Sequence, residues 1–220
     1  MTKPNGAQEW DEIAAIVAEN AEDLKELTSH GDLFRWAKDN DLATKTKFPK
    51  FKSELRKQIG HDYDELRAIA KESYEQDIQQ KAQELNEKAE QGPRLVLNAA
   101  GDAEVGTYAV CAGESVLWYG DFFEDDKDYE EGDQTSADVS AMKKAVWLAT
   151  KIKEAAESET LMLELHVVNH EVPVPTSACV KAGLGLDFQI IDGVPANEWC
   201  RENGYKSWRE VSLPELVQAT

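Results

Sequence analysis

Asp138, Glu164 and Glu198 are candidate catalytic carboxylates, each in a different short stretch of the carboxyl-terminal half. Carboxylates that converge from separate elements can hold hard divalent cations. Converging, these three would support Mg2+-dependent hydrolysis. Taken singly, Asp138 is also what a helix amino terminus favours, because the macrodipole attracts an anion there. A second supply of acids runs from Asp121 to Asp133, eight against one lysine. Its Asp126-x-Asp128-x-Glu130 spacing suggests calcium. However, Gly132 comes one place late for an EF-hand loop and Ala137 stands where the closing glutamate belongs, so a solvated loop is expected. His166 and His170 have no third partner at ligand spacing, and no metal is assigned to them. Ala182-Gly183-Leu184-Gly185 lacks the lysine and helix of a phosphate loop, and no Gly-x-Ser-x-Gly elbow occurs.

The cations are concentrated elsewhere. Lys45, Lys47, Lys50, Lys52, Arg56 and Lys57 share thirteen residues with a single acid, Glu54, so this segment carries +5 in a chain of net charge −19. Dense cations release counterions from a phosphate backbone, which makes these six the candidate nucleic-acid contacts. The acidic remainder repels phosphate at long range and suits a basic protein partner or nucleic-acid mimicry instead. A salt-loving source would also explain the acidity, although such proteins usually avoid lysine and this chain has 18.

The elements that must position these groups fall into two kinds. From Gln8 to Leu27, the positions Trp10, Ile13, Ile16, Val17, Leu24 and Leu27 recur at helical spacing and predict one helix. A short helix follows the Ser29-His30-Gly31 break and ends near Asn40. In the basic segment Phe48, Phe51 and Leu55 share a face, Pro49 suits a first turn, and Gly60 closes the helix. Residues 31–60 thus resemble the helix-turn-helix class, on apolar spacing and charge alone, and a three-helix bundle with solvated lysines fits equally well. Asp62 to Gln91 reads as a helix of roughly 45 Å at 1.5 Å per residue. Its narrow stripe, Leu66, Ile69, Ile78 and Leu85, predicts a seam against the first helix or against the same helix of a second copy. Gly92-Pro93 ends it.

Beyond Pro93 the pattern changes. Arg94–Ala99, Thr107–Ala112 and Ser115–Phe123 read as an antiparallel meander, followed by a helix from Thr135 to about Ala156 and a strand over Leu161–Val168. A short helix over Thr176–Lys181, a strand over Phe188–Ile191 and a helix over Ala196–Asn203 complete the order. Thr135-Ser136-Ala137-Asp138 followed by small and aliphatic residues at helical spacing is similar to the opening of the central helix in ribonuclease H-like domains. The resemblance covers residues 94–204. It implies a metal-ligand role for Asp138 and three further acids, at positions where this chain has Asn98, Asn169 and Asn197. An amide keeps shape while removing charge, so the implied site is degenerate, without a metal, and the protein a pseudoenzyme. Another three-layer α/β domain, or an active nuclease using Asp138, Glu164 and Glu198 with Mg2+, remain the alternatives.

These readings give an α+β protein: residues 1–60 a helical, helix-turn-helix-like domain, 61–91 a connecting helix, and 94–220 a ribonuclease H-like mixed sheet flanked by helices. The expected function is association with nucleic acid, DNA favoured, with no cofactor. A homodimer through residues 62–91 and a basic protein partner are further expectations. No window approaches the roughly 18 apolar residues of a membrane span, and the amino terminus turns polar where an export signal would be apolar. With three widely spaced cysteines and no CxxC pair, a cytoplasmic location with reduced thiols is expected.

Overall fold

The computed structural model describes residues 5–217, and the chain divides into two compact units, Met1–Asp77 and Ile78–Thr220. It is an α+β protein, and its amino-terminal part is helical.

The first unit, the head, comprises α1 (Asn5–Glu19), α2 (Ala21–Glu26), α3 (His30–Asp39), α4 (Phe48–Glu54) and the start of α5 (Tyr63–Ala89). The helix expected over 8–27 is broken at Asn20, whose side-chain Nδ2 donates to the Ile16 carbonyl. Asparagine competes with the backbone in this way and ends helices. Ile13, Val17, Leu24, Leu33, Leu42, Phe51 and Leu55 form one core, with Trp36 stacked on Phe51 at 5.5 Å. Ser29 caps α3 by accepting from the Asp32 N–H. Residues 40–47 join α3 to α4, a longer connection than the roughly 3–4-residue turn of a compact helix-turn-helix. A single π-helical turn, Leu55–Ile59, extends α4 to Gly60, whose φ of +85° favours glycine.

Within the chain, α5 buries its stripe only in part. Leu66 packs against the head core, Ile78 and Leu85 are half-buried, and Ile69 is 56% exposed. Near its end, Ala89 packs beside Gly185, where an added Cβ would come within 2.8 Å of the alanine methyl. The Asn86 side chain donates to the Leu186 carbonyl and accepts from the Leu186 N–H, pairing with a sheet edge as another strand would.

The second unit, the body, holds β1 (Arg94–Asp102), β2 (Thr107–Ala112), β3 (Ser115–Asp121), α6 (Gln134–Ala155), β4 (Met162–Val167), α7 (Thr176–Ala182), β5 (Gly185–Ile190) and α8 (Ala196–Trp199). One mixed sheet runs β3-β2-β1-β4-β5, antiparallel across the meander and parallel from β1 to β5. Alternation sorts its side chains. Leu95, Leu97, Ala99, Leu163, Leu165 and Val167 pack against α6 and α7, while Ala100, Cys111 and Val116 pack against α8 on the other face. Burial on both faces explains why β1 is a nearly continuous apolar run. The last helix is shorter than expected, four residues ending at Trp199.

Candidate functional site around Asp138

Asp133 sets the start of α6 by accepting from the Thr135 and Ser136 N–H groups. The first turn of α6 lies hard against β1: a Cβ at Gly101 would stand 2.4 Å from the Ala137 carbonyl oxygen, so only glycine admits this approach. One turn into α6, the buried Asp138 carboxylate reaches the end of β1. Its Oδ1 accepts from the Gly101 N–H at 3.0 Å, and its Oδ2 accepts from Gln134 Nε2 at 3.0 Å and Asn169 Nδ2 at 2.9 Å. Both amides are fixed in turn. Gln134 Nε2 also donates to the Gly101 carbonyl, Gln134 Oε1 accepts from the Ala103 N–H, and Asn169 Oδ1 accepts from the Glu171 N–H.

This donor set is the wrong kind for a divalent cation. Three N–H groups aim at the only carboxylate, and the side chains beside it present amides turned donor-inward. Hydrogen bonds to a charged group contribute about 1.5–3 kcal/mol each, so an ion entering here must first displace them. The residues therefore do not fit the two Mg2+ ions that a working ribonuclease H-like centre implies.

Of the four positions expected to mark a degenerate site, only Asp138 and Asn169 come together. Asn98 lies between Leu97 and Ala99 and so on the opposite face of β1, where its Nδ2 donates to the Gly113 carbonyl at 3.4 Å. Asn197 belongs to α8 on that same far side, with its Oδ1 buried and unpaired among the described residues. Nor do the three carboxylates of the active alternative converge. Glu164 is on the far face of β4, bound by Arg94 at 2.6 Å and His166 at 2.9 Å, and Glu198 is exposed on α8. Gln134 and Gly101 are the members that sequence reasoning missed. Gln134 is four residues before Asp138, the spacing of side chains stacked on one helix face, and a strand glycine marks close backbone approach.

Asp102, next along β1, accepts from the Glu104 and Val105 N–H groups and from Arg201 Nε at 2.9 Å. Burial opposes its ionisation, but the Val105 N–H, Arg201 and the Glu104 N–H outweigh it and hold the carboxyl below its ordinary value. Its work is to fasten α8 to the β1–β2 turn. Desolvation pushes the Cys111 and Cys179 thiols up to about 12 and Cys200 to about 11, so none is a thiolate nucleophile near neutrality. Among the described residues no group of three His, Cys, Asp or Glu side chains is placed to hold a metal ion. In the acidic loop, Asp126 binds Lys144 at 2.6 Å and Ser140 at 2.7 Å, and Asp128 binds Lys143, so lysines occupy the carboxylates that calcium would need.

The cationic segment of the head is also largely engaged. Lys50 pairs with Glu9, Lys52 with Asp64 at 2.7 Å, Arg56 with Asp62 at 3.5 Å and Lys57 with Glu54 at 3.7 Å. The three partners outside the segment reduce its +5 to +2. Lys50 and Lys52 keep only 16% and 28% of their side-chain exposure and tie α4 to α1 and α5. Lys45 and Lys47 have no acidic partner among the described residues, and Arg56 and Lys57 remain largely exposed. Among the described residues no helix is long and apolar enough to cross a membrane. Comparison with protein-family models, with characterised proteins and with solved structures found no match.

Proposed function

We propose that the chain is a non-catalytic, nucleic-acid-associated protein whose body is a ribonuclease H-like scaffold with a disarmed centre. One observation carries the non-catalytic part: the Asp138 carboxylate is capped by the Gly101 N–H and by the amides of Gln134 and Asn169. The order of elements that the resemblance implies, three meandering strands, a helix and two further strands, supports the scaffold, because these elements join in a single sheet. Contact with DNA is assigned to the head, through Lys45, Lys47, Arg56 and Lys57, the four cations of the segment that are free or loosely held. Lys50 and Lys52 are structural in this reading.

Four phosphate contacts give a log–log salt slope of about −0.9 per contact, so binding should be weak and strongly salt-sensitive. The test is duplex DNA binding at several salt concentrations, for the native chain and for a Lys45→Gln, Lys47→Gln, Lys57→Gln variant. A lower affinity and a flatter slope support the reading, and unchanged binding removes it. In parallel, no cleavage of an RNA–DNA hybrid is expected with Mg2+ or Mn2+. Robust cleavage that Asp138→Asn abolishes would restore the nuclease reading with Mg2+. The ion pairs that absorb the head's cations favour a second reading, an acidic module that engages a basic partner.

A further inference from the structure

β5 is an open edge of the sheet: β4 pairs with it on one side, and among the described residues no strand pairs with it on the other. In a parallel pair, alternate residues turn their backbone groups to the neighbouring strand. The Gly185 N–H donates to the Leu161 carbonyl and the Ile191 N–H to the Val167 carbonyl, so the odd-numbered residues face β4, and Leu186, Phe188 and Ile190 face outward. Asn86 of α5 already satisfies Leu186. The outward N–H and C=O groups of Phe188 and Ile190 have no partner among the described residues, and the Ile190 side chain beside them is 49% exposed. Such an edge is completed by another extended backbone.

Its symmetry points to a second copy of β5. Phe188 and Ile190 flank Gln189, so two antiparallel copies related by a two-fold axis at Gln189 exchange these N–H and C=O bonds and leave neither residue unpaired. In that register each Phe188 stands opposite the other copy's Ile190, and an aromatic beside a β-branched side chain is a favourable cross-strand pair. A hollow of about 130 Å³ adjoins Phe188 between α5 and α7, walled by Val174, Val180 and Leu186, and it receives the incoming isoleucine. Val174, itself 54% exposed, is covered with it. No like charges meet, because Gln189 faces Gln189 and Asp187 faces Ile191. The ends also agree. β5 stops at Ile190 and the chain bends at Asp192, so the incoming strand turns away where it would otherwise run into Asn86. A longer foreign strand running straight on would find the Leu186 groups already taken.

We propose that the chain forms a two-fold homodimer through β5, in which Phe188 and Ile190 pair antiparallel with the same residues of a second copy and the two sheets become one. So short a ladder makes a weak, concentration-dependent dimer. The copies repel each other at net charge −19 apiece, while the contacts themselves are backbone and apolar, so salt strengthens the association. The surface belongs to the body and does not depend on what the head binds.

Sedimentation velocity of the full chain over roughly a hundredfold range of concentration reads the dimer. Ile190→Lys should weaken it roughly tenfold or more, as a lysine on an edge strand does. Ile190→Pro should do the same with little cost to the single chain, because the N–H it removes faces outward and an edge strand tolerates proline there. Ile190→Val should keep most of the association, and Ile69→Lys, on the exposed part of α5, should leave it unchanged. Gln189→Cys reads the register. Facing residues that are not hydrogen-bonded to each other stand about 4.5 Å apart at Cα, within disulfide reach, so glutathione disulfide should oxidise this pair to a covalent dimer and be reduced in exchange. Asp187→Cys should cross-link far less, and the native cysteines are buried. A chain that stays monomeric throughout, a dimer that salt dissociates, one that Ile69→Lys weakens and the Ile190 variants do not, or equal cross-linking from Gln189→Cys and Asp187→Cys would each overturn the proposal.

Discussion

Asp138 and Asp126 are both largely shielded carboxylates bound to α6, and they are held by opposite means. Asp138 has only neutral donors, one backbone N–H and two amides. Asp126, its side chain 9% exposed, has the Lys144 ammonium and the Ser140 hydroxyl. The first carboxylate sits within a shell of dipoles and locks strand, helix and loop together at one point. The second shares its charge with a lysine that also lies over Tyr108 and Trp118, and so pins the acidic loop to the aromatic wall that these rings form. Neither is presented to a metal, for different reasons. Amide dipoles fill the one, and a cation already neutralises the other.

The comparison is broken most forcefully by removing the Asp138 carboxylate. Asp138→Leu, similar in volume, leaves the Gly101 N–H and two amides facing an apolar group. Each orphaned donor costs about 1–3 kcal/mol, so a loss of about 3–5 kcal/mol is expected in denaturant unfolding. Asp138→Asn should cost less, since its own amide oxygen still accepts from part of the donor set. Gly101→Ala follows at about 2–3 kcal/mol, because its Cβ meets the Ala137 backbone and α6 must retreat. Lys144→Met keeps the stem packed on the rings but strands Asp126, and about 2 kcal/mol is expected. If Lys144→Met proved costlier than Asp138→Leu, the dipole shell would not be the stronger anchor.

Acid tests the Asp126 ion pair directly. Burial raises the Asp126 carboxyl, but Lys144 and Ser140 lower it further and hold it below its ordinary 3.8. A depressed folded value contributes stability above the unfolded pKa and loses it as pH falls through the folded one, so the loss from Asp126 should begin below about pH 4. Asp102 is depressed likewise and adds to the same loss. In Lys144→Met the ion pair is absent, and its unfolding free energy should depend less on pH in this window than that of the native chain. Equal slopes would show that Asp126 draws little from the ion pair.

How far this was legible follows from the kind of signal each feature leaves. The meander, α6 and the parallel strands follow from apolar alternation and helical spacing, because burial acts on each residue locally. The partners of Asp138 were legible only in part. Asn169 follows the end of its strand, but Asn98 stands three residues short of Gly101, and at period two an odd shift moves a side chain to the other face. The ion pairs of the head leave no local signal. Six cations in thirteen residues look like one basic face, but the acids that engage Lys50 and Lys52 come from Glu9 and Asp64, on other helices, and no local pattern announces them. The break of the first helix at Asn20 was visible as a residue type, though apolar spacing alone runs through it.

The smallest effect sharpens the comparison by repeating its chemistry without burial. Lys143 and Asp128 form the same kind of pair as Lys144 and Asp126, on the same helix and loop, but their side chains are 47% and 40% exposed against 14% and 9%. An exposed pair gains little because water screens it and two long side chains must be ordered. Asp128→Asn should therefore change stability by no more than about 0.5 kcal/mol, and 1 M salt should erase even that. A double-mutant cycle over each pair isolates the coupling from the cost of each substitution. A coupling several times larger for Asp126 with Lys144 makes shielding by the aromatic wall the reason the loop is held. Equal couplings would mean that the wall adds nothing to the hold on the loop.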